Sequence, residues 1–243
     1  LDNQSTNPHS GRVTWRCKEC HSWDYKGGEG VYGPEALFYT GFPSLSTSVG
    51  SSEEAVIAWM DGSINPEHDF LSLMNSKAVE DLAAFILTMQ VDTDLIIDAN
   101  TGEGLGNEDR GLPLYLDTCA ECHGSAGNRI DFAPGGSPQY LGDIAAIDPW
   151  RALHKIRFGI PGSNMPSAEA EGWSLQEISD LLAYIQGLPR GNPNFAIFKS
   201  DAGLANAEAQ GDIEPVIWAA VLIMTIIGVG LTWERINSAS ARS

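Results

Sequence analysis

The sequence is poor in positive charge. Its 243 residues include 14 lysines and arginines against 32 aspartates and glutamates, which gives a formal net charge of −18. Such a surface repels a phosphate backbone, which argues against nucleic acid and anionic surfaces as partners. It suits a basic protein partner or a salty environment.

The N-terminus lacks the apolar stretch of a signal peptide. It reads LDNQSTNPHSGR, which is polar throughout and resembles the start of a mature chain after cleavage. Long apolar runs are also scarce, and the one that stands out is Val216–Trp233, with 18 uncharged residues. As a helix it would be about 27 Å long, close to the roughly 30 Å of a bilayer core. We therefore expect a transmembrane helix over residues 214–235.

The charges beside this run predict its orientation. The short tail that follows contains Arg242, and Arg235 lies at the end of the predicted helix. The positive-inside tendency places this tail in the cytoplasm. The expected location is the cell membrane, with a single pass and with the large N-terminal part on the periplasmic or extracytoplasmic side.

Cysteine is scarce, and all four residues lie in two pentapeptides, CKECH and CAECH. C-x-x-C-H is typical of covalent haem c attachment, in which two thioethers hold the porphyrin and the histidine binds iron. A disulfide redox motif or a four-cysteine zinc site would not need the histidines. The motifs predict two covalently bound haem c groups, with these residues: Cys17, Cys20 and His21 in the first, Cys119, Cys122 and His123 in the second.

The second motif is followed by a Gly- and Pro-rich loop, an apolar helical stretch and a loop, IPGSNMPSAEAEGW, that contains Met165. The final stretch, SLQEISDLLAYIQGL, opens with Ser174 and has Glu177 three residues later, which predicts a capping box. In this order residues 111–190 resemble a class I cytochrome c domain. The resemblance implies His123 and Met165 as iron ligands, and a Pro134 carbonyl that accepts a hydrogen bond from His123.

The first half repeats this order in a weaker form. GRVTWRCKECHSW parallels the N-terminal helix, VYGPEAL supplies Pro34, and SKAVEDLAAFILTM parallels the final helix. Residues 10–90 therefore also resemble a class I cytochrome c domain. Pro34 is the expected counterpart of Pro134.

The predicted fold class is all-α, with two tandem class I cytochrome c-like haem domains followed by one C-terminal transmembrane helix. The segment between the domains is acidic and Gly-rich, and we expect a solvated linker there. The predicted segments are a first haem domain over 1–91, a linker over 92–110, a second haem domain over 111–190, a linker over 191–213, the transmembrane helix over 214–235 and a cytoplasmic tail over 236–243.

The register of the repeat predicts the second iron ligand of the first haem. Met165 lies six residues after Gly159, and His68 lies six residues after the corresponding Gly62. We therefore predict His68 as the ligand. Met74, Met60, His9, a water molecule and an open position remain as alternatives, and His154 is expected to be structural or on the surface.

The two haems are expected to differ in potential. A methionine ligand raises the reduction potential relative to a second imidazole, so electrons would pass from haem 1 to haem 2. The predicted function is electron transfer by a membrane-tethered dihaem cytochrome c, as a subunit or partner of a respiratory, photosynthetic or dehydrogenase complex. Its partners would be redox proteins, a donor and an acceptor, basic at the docking face.

Two other classes are ranked below electron transfer. A dihaem oxidoreductase of the peroxidase-like or sulfur-compound-oxidising kind needs an open or displaceable ligand, which only haem 1 could offer. A haem sensor needs an output domain, and ten residues after Trp233 are too few for one. An electron carrier is therefore favoured over an enzyme.

Overall fold

Short helices joined by long loops make up the described part of the chain. The structure is a computed structural model, and it describes residues 15–36 and 39–191. All of them belong to one compact unit. The α-helices in these ranges are α1 Lys18–His21, α2 Glu53–Met60, α3 Ser76–Thr88, α4 Glu108–Thr118, α5 Ala120–His123, α6 Leu141–Ile147, α7 Pro149–Phe158 and α8 Leu175–Gln186.

Single turns of 3₁₀ helix occupy parts of the loops. They are Gly27–Glu29, Leu45–Ser48, Pro66–His68, Phe70–Ser72 and Thr93–Leu95. Two isolated β-bridges, between Asp61 and Asp69 and between Ile97 and Gly104, pin two further loops.

Helix α8 is the centre of the larger hydrophobic core. Four of its apolar residues recur at helical spacing, so they share one face, and these four are buried: Ile178, Leu181, Leu182 and Ile185. The predicted capping box is confirmed, since Ser174 and Glu177 satisfy each other's backbone N–H groups. The core also takes in Tyr115 of α4 and Trp150, Leu153 and Ile156 of α7.

Helices α4 and α8 cross in close contact because glycine lies on the side of α4 that faces α8. A Cβ atom added to Gly111 would lie 2.1 Å from the carbonyl oxygen of Asp180. Just before α4, a Cβ on Gly106 would lie 2.2 Å from the carbonyl oxygen of Ser179. The backbones therefore touch where any other residue would hold them apart.

The first half has a smaller core. Helices α2 and α3 begin at side-chain caps, Ser52 and Asn75, and pack against each other. The buried residues of this cluster are Val56, Met60, Phe70, Val79 and Ala83. Among the described residues, the large side chains of this buried cluster are Met60 and Phe70.

The expected linker over residues 92–110 is corrected. Ile96 and Ile97 are buried in the core of the second half, at 3% and 0% exposure, and α4 already begins at Glu108. Acidic residues had indicated a solvated linker here, but two of them accept hydrogen bonds from backbone N–H groups in local turns. Asp92 accepts from the N–H of Asp94, and Asp98 accepts from the N–H groups of the two residues Asn100 and Thr101.

The predicted fold class is wrong. The described residues are helical, but none of their helices is long and apolar enough to cross a membrane. The longest of them, α3, has 13 residues, whereas a span takes about 20. The segments predicted as second linker, transmembrane helix and tail lie outside the described residues, apart from Gly191. The two halves also share one core, since Trp23 and Val31 pack against the larger cluster.

We predict that Gly111→Ala lowers the free energy of unfolding by about 2 kcal/mol, because the added methyl group overpacks the α4–α8 crossing. The loss occurs although alanine is the better helix former by roughly 1 kcal/mol. Chemical denaturation measures it. The control is Gly136→Ala, whose added Cβ would lie 3.8 Å from its nearest neighbour, the carbonyl oxygen of Ala133. Equal stability of both variants would contradict the crossing argument.

A second prediction concerns Asp180, which is buried and receives two hydrogen bonds from Arg110, at 2.6 and 2.9 Å. This guanidinium holds the pKa of Asp180 at about 2, below its ordinary 3.8. Because the folded-state pKa is depressed, the stabilisation is complete above pH 3.8 and is lost as the pH falls through about 2.

Asp180→Asn should therefore flatten the fall of stability across this acid range, as measured by thermal unfolding at several pH values. The exposed Asp117, changed to Asn, serves as the control. An unchanged acid slope in Asp180→Asn would count against the ion pair.

Candidate functional site

The two C-x-x-C-H motifs have the same backbone geometry. In the first, the N–H groups of Cys20 and His21 donate to the carbonyl of Cys17, at 3.2 and 2.9 Å. In the second, the motif's second cysteine and its histidine donate to the carbonyl of Cys119 at the same two distances. One helical turn therefore places both thiols and the ring of each motif.

The chain leaves both turns in the same way. Ser22 and Tyr25 have φ angles of 60° and 63°, the left-handed region that favours glycine. Their counterparts in the second half, counted from each motif histidine, are Gly124 and Gly127, with φ angles of 81° and 69°. The repeat therefore extends beyond the motif, and the first half adopts a glycine-like conformation with larger side chains.

No disulfide joins any of the four cysteines. Burial raises the pKa of Cys20 and that of Cys119 to about 11 in each case. A redox-active C-x-x-C pair needs the opposite shift, toward a thiolate at neutral pH. The environment therefore disfavours a disulfide-exchange function for these motifs.

Both motif histidines have a buried Nδ1 without a hydrogen-bond partner. Burial, followed by the nearby His68, lowers the pKa of His21 to about 4, and burial lowers the pKa of His123. Both rings are therefore neutral at pH 7, the form that binds a metal.

The predicted prolines do not lie where the resemblance implied. Pro34 and Pro134 are exposed in surface turns. The carbonyl that faces the His21 ring and partly restores its pKa is that of Pro43. The sequence carries a weak signal for this residue, since a proline shortly before a leucine recurs at Pro43–Leu45 and Pro138–Leu141. Both leucines hold the motif loop, because their N–H groups donate to the carbonyls of Tyr25 and Gly127.

His68 lies close enough to His21 to lower its pKa. Its Nδ1 lies 2.5 Å from the carbonyl oxygen of Trp59, a bond that Nδ1 can make only as donor. This fixes the tautomer in which Nε2 is free to bind a metal, the arrangement common among metal-binding histidines. Phe70 packs edge-on against the ring at 4.7 Å and holds its orientation.

The alternative ligands of the first half have other surroundings. Met60 is 5% exposed in the small core, and Met74 packs against the same cluster. His9 lies outside the described residues. Among these candidates, His68 lies near His21, where it lowers the pKa of that ring.

Met165 lies half-buried in the loop after α7. Its N–H donates to the hydroxyl of Ser163, and its carbonyl packs against Gly159, which has a φ of 67°. In the first half Gly62, with a φ of 84°, packs likewise against Asp69, the residue after His68. Both glycines thus turn their loops at positive φ, and the contact in the first half lies one residue beyond His68.

Comparisons with known proteins agree with the geometry of the second half. Residues 106–185 match the family model described as cytochrome C oxidase, cbb3-type, subunit III. Residues 106–185 form a cytochrome c domain. The gluconate 2-dehydrogenase cytochrome c subunit of Pantoea cypripedii is 32% identical over 85 residues, covering 32% of this chain and 19% of that relative. The chain thus spans about a fifth of the relative's length. No solved structure matches the chain.

A cytochrome c domain implies covalently bound haem c and a function in electron transfer. The residues of this domain fit such a group, because Cys119 and Cys122 are free and the neutral His123 has an unpartnered nitrogen. Bound haem supplies one-electron chemistry at its iron. The cytochrome c domain contributes the attachment, the orientation and the dry surroundings that set the potential.

We predict that His68→Ala opens one iron position in the haem-loaded protein, because the imidazole that faces His21 is removed. Part of the absorption spectrum should shift from low spin to high spin, and carbon monoxide should bind to one haem per chain. Met74→Leu is the control, and it should leave the spectrum unchanged. Identical spectra for His68→Ala and the native protein would rule out His68 as the ligand.

Proposed function

We propose that the protein is a dihaem cytochrome c that passes single electrons on the extracytoplasmic side of a membrane, with one haem in each half. The repeat of backbone geometry carries this proposal. The two motifs share their hydrogen bonds, and the positive φ angles that follow recur at matching positions, Ser22 with Gly124 and Tyr25 with Gly127. Cys17, Cys20 and His21 would hold the first haem, as Cys119, Cys122 and His123 hold the second.

The iron ligands opposite the motif histidines differ between the halves. His68 would close the first iron and Met165 the second. Imidazole favours ferric iron more than a thioether does, so the first haem would have the lower potential. Electrons would then enter at haem 1 and leave from haem 2.

Two protein ligands on each iron favour a carrier over an enzyme, because no position stays open for a substrate. The bond from His68 to the Trp59 carbonyl supports this reading, since it holds the ring in place. A displaceable ligand would be less firmly held.

We further propose that the protein works in a multi-subunit redox complex. The relative from Pantoea cypripedii is by its name a subunit of a dehydrogenase. The formal charge of −18 suits a donor or acceptor with a basic docking face. Covalent attachment of haem c is completed outside the cytoplasm, which supports the extracytoplasmic location.

Haem counting tests the proposal. The native chain, produced with haem-attachment machinery, should carry two haems by the pyridine haemochrome assay. Cys17→Ala with Cys20→Ala should carry one haem, and so should the matched pair Cys119→Ala with Cys122→Ala. A native chain with a single haem, unaffected by loss of Cys17 and Cys20, would refute the dihaem function and leave only the second half as a cytochrome c.

A further inference from the structure

Aromatic rings fill the contact between the two halves. We call these side chains the junction cluster: Trp23, Tyr25, Phe85, His154 and Phe158. The ring of His154 lies 4.8 Å from that of Trp23 and 5.0 Å from that of Phe158, measured between centroids. Phe85 meets Tyr25 at 5.6 Å and Phe158 at 5.4 Å, both edge-on. These separations are those of packed aromatic pairs.

A hydrogen bond locks the cluster. The hydroxyl of Tyr25 and Nδ1 of His154 lie 2.5 Å apart, although the two residues are 129 positions apart in the chain. Burial lowers the pKa of His154 to about 4 and raises that of Tyr25 to about 12, so both are uncharged at pH 7. The bond thus joins two neutral groups and holds the His154 ring between Trp23 and Phe158.

Tyr25 lies at a position whose backbone conformation favours glycine. Its φ is 63°, and the second half has Gly127 at the matching position. A tyrosine in the left-handed region is strained, and such strain persists where the side chain is needed. Here the hydroxyl binds His154 and the ring packs on Phe85, so the side chain serves the contact between the halves.

The cluster ends at the two candidate iron sites. Trp23 lies two residues after His21, the motif histidine of the first half. Phe158 ends α7 and is followed by Gly159, which packs against the carbonyl of Met165. The ring contacts from Trp23 through His154 to Phe158 therefore run from one ligand segment to the other.

Two cations hold the outer rings of the cluster. The ammonium of Lys155 lies 5.5 Å from the ring centroid of Trp23, and the guanidinium of Arg157 lies 4.6 Å from that of Phe158. Arg157 is 3% exposed and also donates to the carbonyl of Met89, at the end of the first half. Helix α7 is therefore fixed to the first half along its length.

We propose that Trp23, His154 and Phe158 form the path along which the two haem segments exchange electrons, with Tyr25 as the positioning residue that holds His154 in line. This proposal rests on the dihaem function proposed above. One electron leaves ferrous iron in the first half and reduces ferric iron in the second. No bond or proton moves, and the rings are not themselves oxidised.

The test uses the full-length, haem-loaded protein and Trp23→Leu. Rapid partial reduction followed by absorption spectroscopy measures the rate at which an electron equilibrates between the haems. This rate should fall several-fold in Trp23→Leu, while both reduction potentials stay at their native values. Trp173→Leu is the matched control, since Trp173 is also half-buried and also packs on the larger core, but lies in the loop just before α8. A native rate in Trp23→Leu overturns the path.

Tyr25→Phe tests the positioning role separately, because it keeps the ring and removes only the hydrogen bond. We expect slower equilibration with unchanged potentials, and a lower melting temperature. Tyr184→Phe is its control, since that tyrosine packs on Tyr115 within the second half. A lower melting temperature with a native rate makes Tyr25 merely structural and overturns its assigned role.

Haem counting separates this proposal from the function beneath it. One haem per native chain refutes the dihaem function, and the path falls with it. If the native chain carries two haems and the rate of electron equilibration is the same in Trp23→Leu, the dihaem function holds and only the path is refuted.

Discussion

The hydrogen bond between Tyr25 and His154 is the constraint on which the arrangement of the two halves depends. It ties the loop after the first C-x-x-C-H motif to α7, the helix that leads to Met165. Lys26 adds ion pairs to Asp92 and Asp94 beside it, at 3.2 and 2.7 Å. These pairs are half-exposed and worth little alone, whereas the aromatic contacts around His154 exclude water. Aromatic packing therefore sets how the two halves are arranged, and the ion pairs of Lys26 add little to it.

The first half depends on this contact more than the second half does. Among the described residues its own cluster of buried residues has five members, whereas the core around α8 includes Tyr115, Trp150 and four buried isoleucines and leucines of α8 itself. A small core has little stability to spare. Ile96 and Ile97, which follow the first half in sequence, are buried with the second. The position of His21 is thus set partly by side chains that lie more than a hundred residues away.

The sequence was sufficient for features that are local. The motif turns follow from C-x-x-C-H, the start of α8 from Ser174 and Glu177, and two loop turns from Gly62 and Gly159, whose φ angles are positive. Each of these depends on residues within one or two turns of each other. Periodicity and capping chemistry describe such neighbours directly.

Contacts between distant segments were not accessible in the same way. Composition predicts a linker over residues 92–110, because its acidic residues outnumber its two isoleucines. Those isoleucines, however, are the residues that bury part of the segment in the core. Pro43 was missed because the loop after His21 is longer than its counterpart, so counting from the histidine pointed to Pro34.

Tyr25 occupies a position whose backbone conformation favours glycine, and this makes the two halves of the repeat differ in the contact that joins them. In the second half Gly127 satisfies the backbone and presents no side chain. In the first half the same backbone turn holds a tyrosine, which reaches His154 on the other half. Two identical repeats could pack symmetrically. Here only the first half supplies the tyrosine, so the contact between the halves is asymmetric. The loop behind His21 then faces the helix before Met165, and the two proposed iron sites would follow each other along one line of rings.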